Sequence, residues 1–565
     1  MFGYPEIDIY SRAKEKVSII VNDPKLESYK SSKSTLENRG YIVYLLNFMD
    51  PLHSAGFNPL DMVVKLYVIG DYDNAELLAQ AFAFSIFNPE EATCNDSFWN
   101  DASTNLLVAL ILGHLEDCLK LDEISNNRRY VTWMEKRNAY DKLNEEAKKE
   151  AYEKYKEAIK KDKDLILNPK INYLPKEEEY KLKHDNIKKV NMYSIINTFS
   201  ELARIHPDEN NPDLTMLDEY FNKRPPLNRA KLKYAGIEVS GDRTKSSIFS
   251  VMLSKLTVFT YESMARMTAE SSFNLEEIGF GDKPIAVFLG LPDFDKSKHF
   301  MATVFIRQLY FVLARKATDI KSGRCSRHVK FKLNEFGNMP PIEAMDSIIT
   351  VCLGRNISFD LVVQSYSQIT KLYGQEGADA IKENCGNHRY ILTNNGDTAQ
   401  EISGNLGNET IVDMQRSGEK LSTHKHFMEN TQEKPLLNKN QLIELLPGEC
   451  VILRIMKRED LKRNKVKPMP IFNSEESGKC LLYRYEYLTD TFPNPDTIDL
   501  REINKEDRTY IELRKEYGII RFLFCGYSKI QWVMLINTIL SLWQIIKRLW
   551  KRLKRQDALS VMISV

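Results

Sequence analysis

Cysteine is scarce and scattered. The 565 residues hold 8, namely Cys94, Cys118, Cys325, Cys352, Cys385, Cys450, Cys480 and Cys525, and no C-x-x-C pair occurs. A zinc ribbon or a disulfide framework is therefore excluded as the organising device, and reduced cytosolic thiols are the better reading. An excess of one charge is also missing. The formal net charge is +1, so no global field draws the chain to nucleic acid, and any such contact must come from a local patch or a ring of several subunits. Residues 1–16 have no apolar stretch, which reads as neither signal peptide nor anchor. No internal repeat is visible. What remains is an ordinary globular balance, 43% hydrophobic and 28% charged, with length for two to four domains of roughly 150 residues each.

Short apolar runs recur, each ending in a polar or turn residue: 17–21, 41–46, 285–289, 329–333 (interrupted by two lysines), 359–363 and 389–392. Runs of this length, β-branched and separated by helix-length stretches, predict buried parallel strands. In open α/β sheets ligands gather beyond the carboxyl ends of the strands. Between strands, the apolar spacing predicts a helix over 301–317, another over 342–353, and one over 397–406 opened by the acidic residue Asp397 and stopped before Gly407.

Residues 80–230 have a different texture. Asp96 or Ser97 is placed to cap a helix over 99–119 that is apolar nearly all round and so belongs in a core. A second helix over 135–161 is dense in Glu and Lys, with the i,i+4 pairs Glu145/Lys149 and Glu150/Lys154; its alternating charge reads as a solvated arm. Pro225–Pro226 closes this region, and strand-like patterns are expected to resume after it. The tail differs again. Residues 530–546 carry no charge over 17 positions, short of the ~20 that span a bilayer. Trp532, Ile536, Ile539, Trp543, Ile546 and Trp550 recur at helical spacing, and six lysines and arginines follow over 547–555. That composition suits an interfacial helix on a membrane; a partner-binding helix and an altered reading frame at the gene's end stay open.

Two strand ends carry chemistry. The run 328–338 ends its strand at Asn334-Glu335. An amide or acid there can hold the waters of a metal ion, and the glutamate after it can orient or deprotonate an attacking water. The run 361–368 ends the next strand at Gln364, where an amide can bond a γ-phosphate or its water.

These ends belong to a longer ordered series: Asn22-Asp23-Pro24-Lys25-Leu26-Glu27, Gly56-Phe57-Asn58-Pro59-Leu60, Ser97-Phe98-Trp99-Asn100, Asn334-Glu335-Phe336-Gly337-Asn338, Gly354-Arg355-Asn356, Gln364-Ser365-Tyr366-Ser367-Gln368 and Leu372-Tyr373-Gly374. Over about residues 17–455 the chain resembles the TraG-like type IV secretion coupling proteins, the conjugative DNA-transfer ATPases. The resemblance implies an α/β fold, a RecA-like P-loop NTPase-type parallel sheet with an inserted all-α domain and a C-terminal helical tail. Its divisions are expected at 1–79 and 231–475 for the nucleotide-binding domain, 80–230 for the all-α domain, and 476–565 for the tail. It further implies a homo-hexamer on the cytoplasmic face of the inner membrane. Such a ring recruits relaxase-bound single-stranded DNA (the relaxosome) and drives it with ATP and Mg2+ into the type IV secretion channel proteins. Residue by residue, Glu335, Gln364 and, across a subunit boundary, Arg355 are the implied catalytic groups. Asp23, Lys25 and Asn334 are the implied cofactor contacts, with Asn334 reaching Mg2+ through water.

Three departures qualify this. Family members carry two membrane helices and a G-x-x-x-x-G-K-[ST] loop ahead of the first strand. In this sequence the only Gly-Lys pair is Gly478-Lys479, followed by Cys480, and the expectation is a chain that starts late. Asn334 stands where the family has aspartate, and Leu26 where it has glycine, which is expected to alter the backbone there. Two functions follow as expectations: a subunit of an ATP-driven motor, deficient in hydrolysis without the phosphate loop, or a non-hydrolysing docking platform or remnant of such a motor.

Overall fold

The computed structural model describes residues 3–87, 97–161, 180–203, 215–292, 295–417, 426–446, 449–454, 464, 488 and 490–517. The expected amphipathic helix within 530–555 and the Gly478-Lys479 pair lie outside the described residues. The chain divides into two compact units, Met1–Ala109 with Leu232–Ile511, and Leu110–Lys231 with Glu512–Val565.

The first unit is built on five strands: β1 (Ser18–Asn22), β2 (Ile42–Asn47), β3 (Ile285–Gly290), β4 (Val329–Leu333) and β5 (Ile357–Leu361). They pair in the order β2-β3-β1-β4-β5, all parallel, with Ile20 facing Val287 on one side and Phe331 on the other. Every residue of β1 and β3 is buried. This is why these runs read as continuous apolar stretches without alternation: both faces are covered. Parallel neighbours need crossovers, and the helices Glu27–Asn38, His299–Asp319 and Met345–Val351 supply them.

The two lysines of β4 are accommodated by pairing. Lys330 meets Asp360 at 2.7 Å, and Lys332, 7% exposed, meets Glu6 at 2.5 Å. Glu6 lies on the N-terminal helix Gly3–Arg12 and also contacts Arg389. Burial alone would raise the Glu6 pKa, but Lys332 and Arg389 outweigh it and hold the carboxyl below its ordinary range.

Several sequence expectations are corrected. The run 389–392 is not a parallel strand of this sheet. Its strand is β6 (Asn387–Tyr390), which pairs antiparallel with β9 (Val451–Arg454); a strand reading Asn-His-Arg-Tyr cannot be covered on both faces, and Ile391 and Leu392 are exposed. A hairpin-like pair, β7 (Asn408–Ser417) and β8 (His426–Pro435), was not foreseen. β5 starts and ends two residues earlier than expected, and Val362 beyond its end is exposed. The helix over 397–406 is capped by Asn395, whose side chain accepts from Thr398 N at 2.8 Å, and not by Asp397. After Pro225–Pro226 the next elements are helices, Arg229–Glu238 and Asp242–Leu256 among them, and no strand intervenes before β3 among the described residues.

The helices expected over 99–119 and 135–161 are one continuous helix, Ser97–Lys161. No glycine, proline or cap separates them, so nothing stops propagation. Its most apolar window has the composition of a membrane span and is 72% buried within the fold, as a core helix would be. In the second unit, Tyr220 Oη donates to Asp117 Oδ2 at 2.6 Å. Arg224 donates to Asp117 Oδ2 and to Gly113 O, each at 2.9 Å, and lies over the Tyr220 ring. A Cβ at Gly113 would meet Tyr220 Oη at 2.9 Å, so glycine admits this cluster. His114, next along the helix, is 2% exposed, and burial pushes its pKa down to about 4.

Candidate functional site

The carboxyl edge of the sheet brings the ends of β1, β3 and β4 together. The register pairs Asn22 with both Leu289 and Leu333, so Asn334 and Glu335 begin where Asn22 ends. Asn22 is 1% exposed; its Nδ2 donates to Asn334 O at 2.5 Å, while its Oδ1 has no hydrogen-bond partner. Glu335 takes φ 55° and ψ 40°, the left-handed region, and is exposed. A non-glycine residue there costs on the order of 1 kcal/mol and points to a constraint imposed from outside the residue. Asn338 Nδ2 donates to Glu335 Oε2 at 3.3 Å. A pocket of about 190 Å3 opens here, lined by Asn22, Pro24, Lys296, His299, Glu335 and Asn338 among others. His299 opens the helix His299–Asp319, and its Nε2 donates to Pro292 O at 2.6 Å.

Gln364 follows β5 on this same edge, and its exposed side chain lies beyond the strand. Its backbone N–H donates to Gln368 Oε1 at 3.0 Å. That same amide lies against the turn after Glu335: a Cβ on Gly337 would come within 2.4 Å of Gln368 Oε1. Phe336 N donates to Val362 O at 2.9 Å, and the Phe336 ring stacks on Tyr373 with centroids 5.7 Å apart. The turn carrying Glu335 is thus clamped to the end of β5 and to the helix Tyr366–Asn384.

The remaining candidates are placed differently. Asp23 is buried and accepts from Tyr29 N at 2.8 Å, closing the N-terminus of the helix Glu27–Asn38. Burial raises its pKa to about 6, against the lowering effect of the Tyr29 and Ser28 N–H groups. Its oxygens are committed to the helix and not to the pocket. Lys25 is exposed beside it. Leu26 takes φ 56° and ψ 20°, in the left-handed region that glycine adopts without strain, while its side chain is buried against Gly290. Arg355 lies just before β5, at the opposite edge of the sheet from Glu335. Its guanidinium donates to Ala314 O at 2.6 Å and to Thr318 Oγ1 at 2.8 Å, satisfying the last turns of the helix His299–Asp319.

Asn22 and Gln368 stand inside the sequence motifs, yet their contacts came from geometry; His299 and Lys296 had no signal in the sequence at all. The edge presents Asn334 and Glu335 at the end of β4 and Gln364 beyond β5, while Asp23 is taken up by its helix and the sequence holds no glycine-rich Gly-Lys-Ser/Thr loop.

Comparison with known proteins identifies the lineage. A 38% identical stretch of 146 residues is shared with an uncharacterized protein of Bacillus anthracis, covering 26% of this chain and 52% of that protein. Protein VirD4 of Rhizobium radiobacter is 24% identical over 240 residues, 42% of this chain and 33% of VirD4. The chain therefore spans about half or less of the length of these curated relatives. Among solved structures, the plasmid coupling protein TrwB in complex with a non-hydrolysable ATP analogue aligns with a TM-score of 0.44 and 11% identity, over 78% of this chain and 76% of that one; the sheet topology above stands without it. The model of the family described as Type IV secretory system Conjugative DNA transfer matches residues 13–467. With most of the chain inside that match, the protein belongs to the conjugative DNA-transfer family of type IV secretion systems, the coupling proteins.

Proposed function

We propose that this chain is the cytoplasmic part of a coupling protein that receives relaxase-bound single-stranded DNA and passes it to the type IV secretion channel. In this reading it works as a homo-hexamer at the cytoplasmic face of the inner membrane, and by itself it hydrolyses ATP slowly or not at all. The observation that carries the reading is the edge of the sheet. Glu335 is held exposed in a strained turn beside Gln364, while the loop that would cradle phosphates is not in the sequence. ATP with Mg2+ would supply the chemical drive once a phosphate loop is provided from outside this sequence. Glu335 is then the carboxylate placed to take a proton from water, Gln364 the amide that senses the phosphate end, and Asn334 a neutral ligand to metal-bound water. Steady-state ATPase measurement with single-stranded DNA tests this. No turnover above background is expected. DNA-stimulated turnover on the order of 1 s⁻¹, abolished by Glu335→Gln, would overturn the hydrolysis-deficient reading and restore an autonomous motor.

The second reading, a non-hydrolysing docking platform, rests on the helical unit. Arg128, Arg129, Thr132, Trp133 and Lys136 line a groove of about 350 Å3 on the helix Ser97–Lys161. Basic side chains interleaved with an aromatic one suit a nucleic-acid strand. Nucleotide-independent binding of single-stranded DNA, weakened by Arg128→Ala with Lys136→Ala, favours it.

A further inference from the structure

Glu335 sits in the left-handed region against its own preference, and the chain that follows it shows what holds it there. The loop 336–342 carries two residues of the pocket wall, Asn338 and Met339, and leads towards the helix Met345–Val351. One side chain meets both of its ends. The Tyr373 ring stacks on Phe336, with centroids 5.7 Å and planes 12° apart. The Tyr373 hydroxyl accepts from Ile342 N at 2.9 Å. Phe336 and Ile342 are each 1% exposed, so water cannot stand in for either contact. The backbone beside Tyr373 is shaped around it. Gly374 takes φ 69° and ψ 177°, a conformation open in practice to glycine alone, and breaks the helix Tyr366–Asn384 directly after Tyr373. The half 366–373 carries Gln368 and Tyr373, both of which touch the turn after Glu335. The other half is anchored elsewhere, with Lys382 meeting Glu401 at 3.1 Å. Gly377 leaves room one turn on: a Cβ there would stand 3.2 Å from Tyr373 Cβ.

We infer that Tyr373 is a positioning residue: by gripping both ends of the loop 336–342 it imposes the positive φ of Glu335 and sets the wall that Asn338 and Met339 give the pocket. Its bearing on chemistry rests on the reading of Glu335 as the carboxylate that faces water, because Tyr373 does not line the pocket and acts through the residues it holds. With Phe336 N bonded to Val362 O at 2.9 Å, the turn could relax only by rotation about Glu335. While Tyr373 holds Phe336 and Ile342 together, that rotation would have to carry the whole loop with it.

The test is a double-substitution cycle on the full chain, read as urea midpoints with no nucleotide present. In the unaltered chain Glu335→Gly is expected to raise the midpoint, because it relieves the strain. In a Tyr373→Leu background the turn is free to leave the left-handed region, and that rise is expected to vanish. A change on Glu335→Gly that is as favourable or more so in the Tyr373→Leu background overturns the inference. Should Tyr373→Leu fail to fold, Tyr373→Phe decides, since it keeps the ring and loses only the hydroxyl. Amide exchange at Ile342 is then expected to quicken by about 10-fold, the equivalent of one lost hydrogen bond, with β4 unchanged. Unchanged exchange at Ile342, or a quickening spread through β4, overturns the inference. ATP enters neither measurement, so a failure here is distinct from a failure of the hydrolysis reading.

Discussion

The sheet unit and the helical unit both pair buried charge, and they differ in what else they bury. In the first, charged groups enter the core in pairs: Lys330 with Asp360, and Lys332 with Glu6. In the second, the long helix buries one ionisable ring, His114, by keeping it neutral, while Arg224 and Asp117 satisfy each other beside it. A parallel strand has no solvent face to spare, so a lysine on it needs a partner from a neighbouring element. A helix presents several faces, and a histidine can be buried at the cost of its charge alone.

That contrast can be broken most strongly at Glu6. Glu6→Ala leaves Lys332 buried without its partner, and a loss of about 3–5 kcal/mol is expected, the range for stripping one member from a buried pair. Urea unfolding followed by hydrogen exchange in β4 peptides checks it; a loss below 1 kcal/mol would mean that Lys332 escapes to solvent.

Acid should then separate the two units by sign. The folded pKa of His114 is lowered to about 4, so its neutral burial contributes fully above the unfolded value of roughly 6.5 and is lost as pH falls towards 4. The folded pKa of Asp23 is raised to about 6, so its burial is costly above pH 6 and that cost lessens as pH falls towards the unfolded value near 4. Each effect is at most about 3 kcal/mol, from 1.36 kcal/mol per pKa unit. Native-state hydrogen exchange at pH 7 and pH 4.5 should show His114→Leu removing acid lability from the helix around residue 114. Asp23→Asn should remove the opposing trend at β1. A trend of the same sign at both sites contradicts the assignment.

The smallest expected effect is a gain. Glu335→Gly relieves the left-handed strain and should raise stability by up to about 1 kcal/mol, read as a small increase in the urea midpoint. A decrease would show that the Glu335 carboxylate itself supports the turn.

The parallel core was legible because both-face burial writes itself as unbroken apolar runs, which is how β1, β2, β3 and β4 were located to within a residue or two. It misled at β6, where a run of the right length contains Arg389 and Tyr390 and forms an antiparallel pair outside the sheet. Asn334, Glu335 and Gln364 were legible as strand ends. The conformations of Leu26 and Glu335 were not, since positive φ at a non-glycine residue runs against local preference and is imposed by tertiary contacts. The place of His299 was invisible for a related reason: only the fold sets it in one pocket with Asn22.

The close approach of Gln368 to Gly337 has a consequence for how this surface can change. No side chain larger than hydrogen fits at 337 while Gln368 occupies its place, and the clash reaches the Cβ of residue 368 itself, 2.8 Å from where a Cβ at 337 would stand. Shortening the side chain at 368 therefore leaves the obstruction: in a combinatorial library selected for folding, position 337 should stay glycine whatever side chain stands at 368.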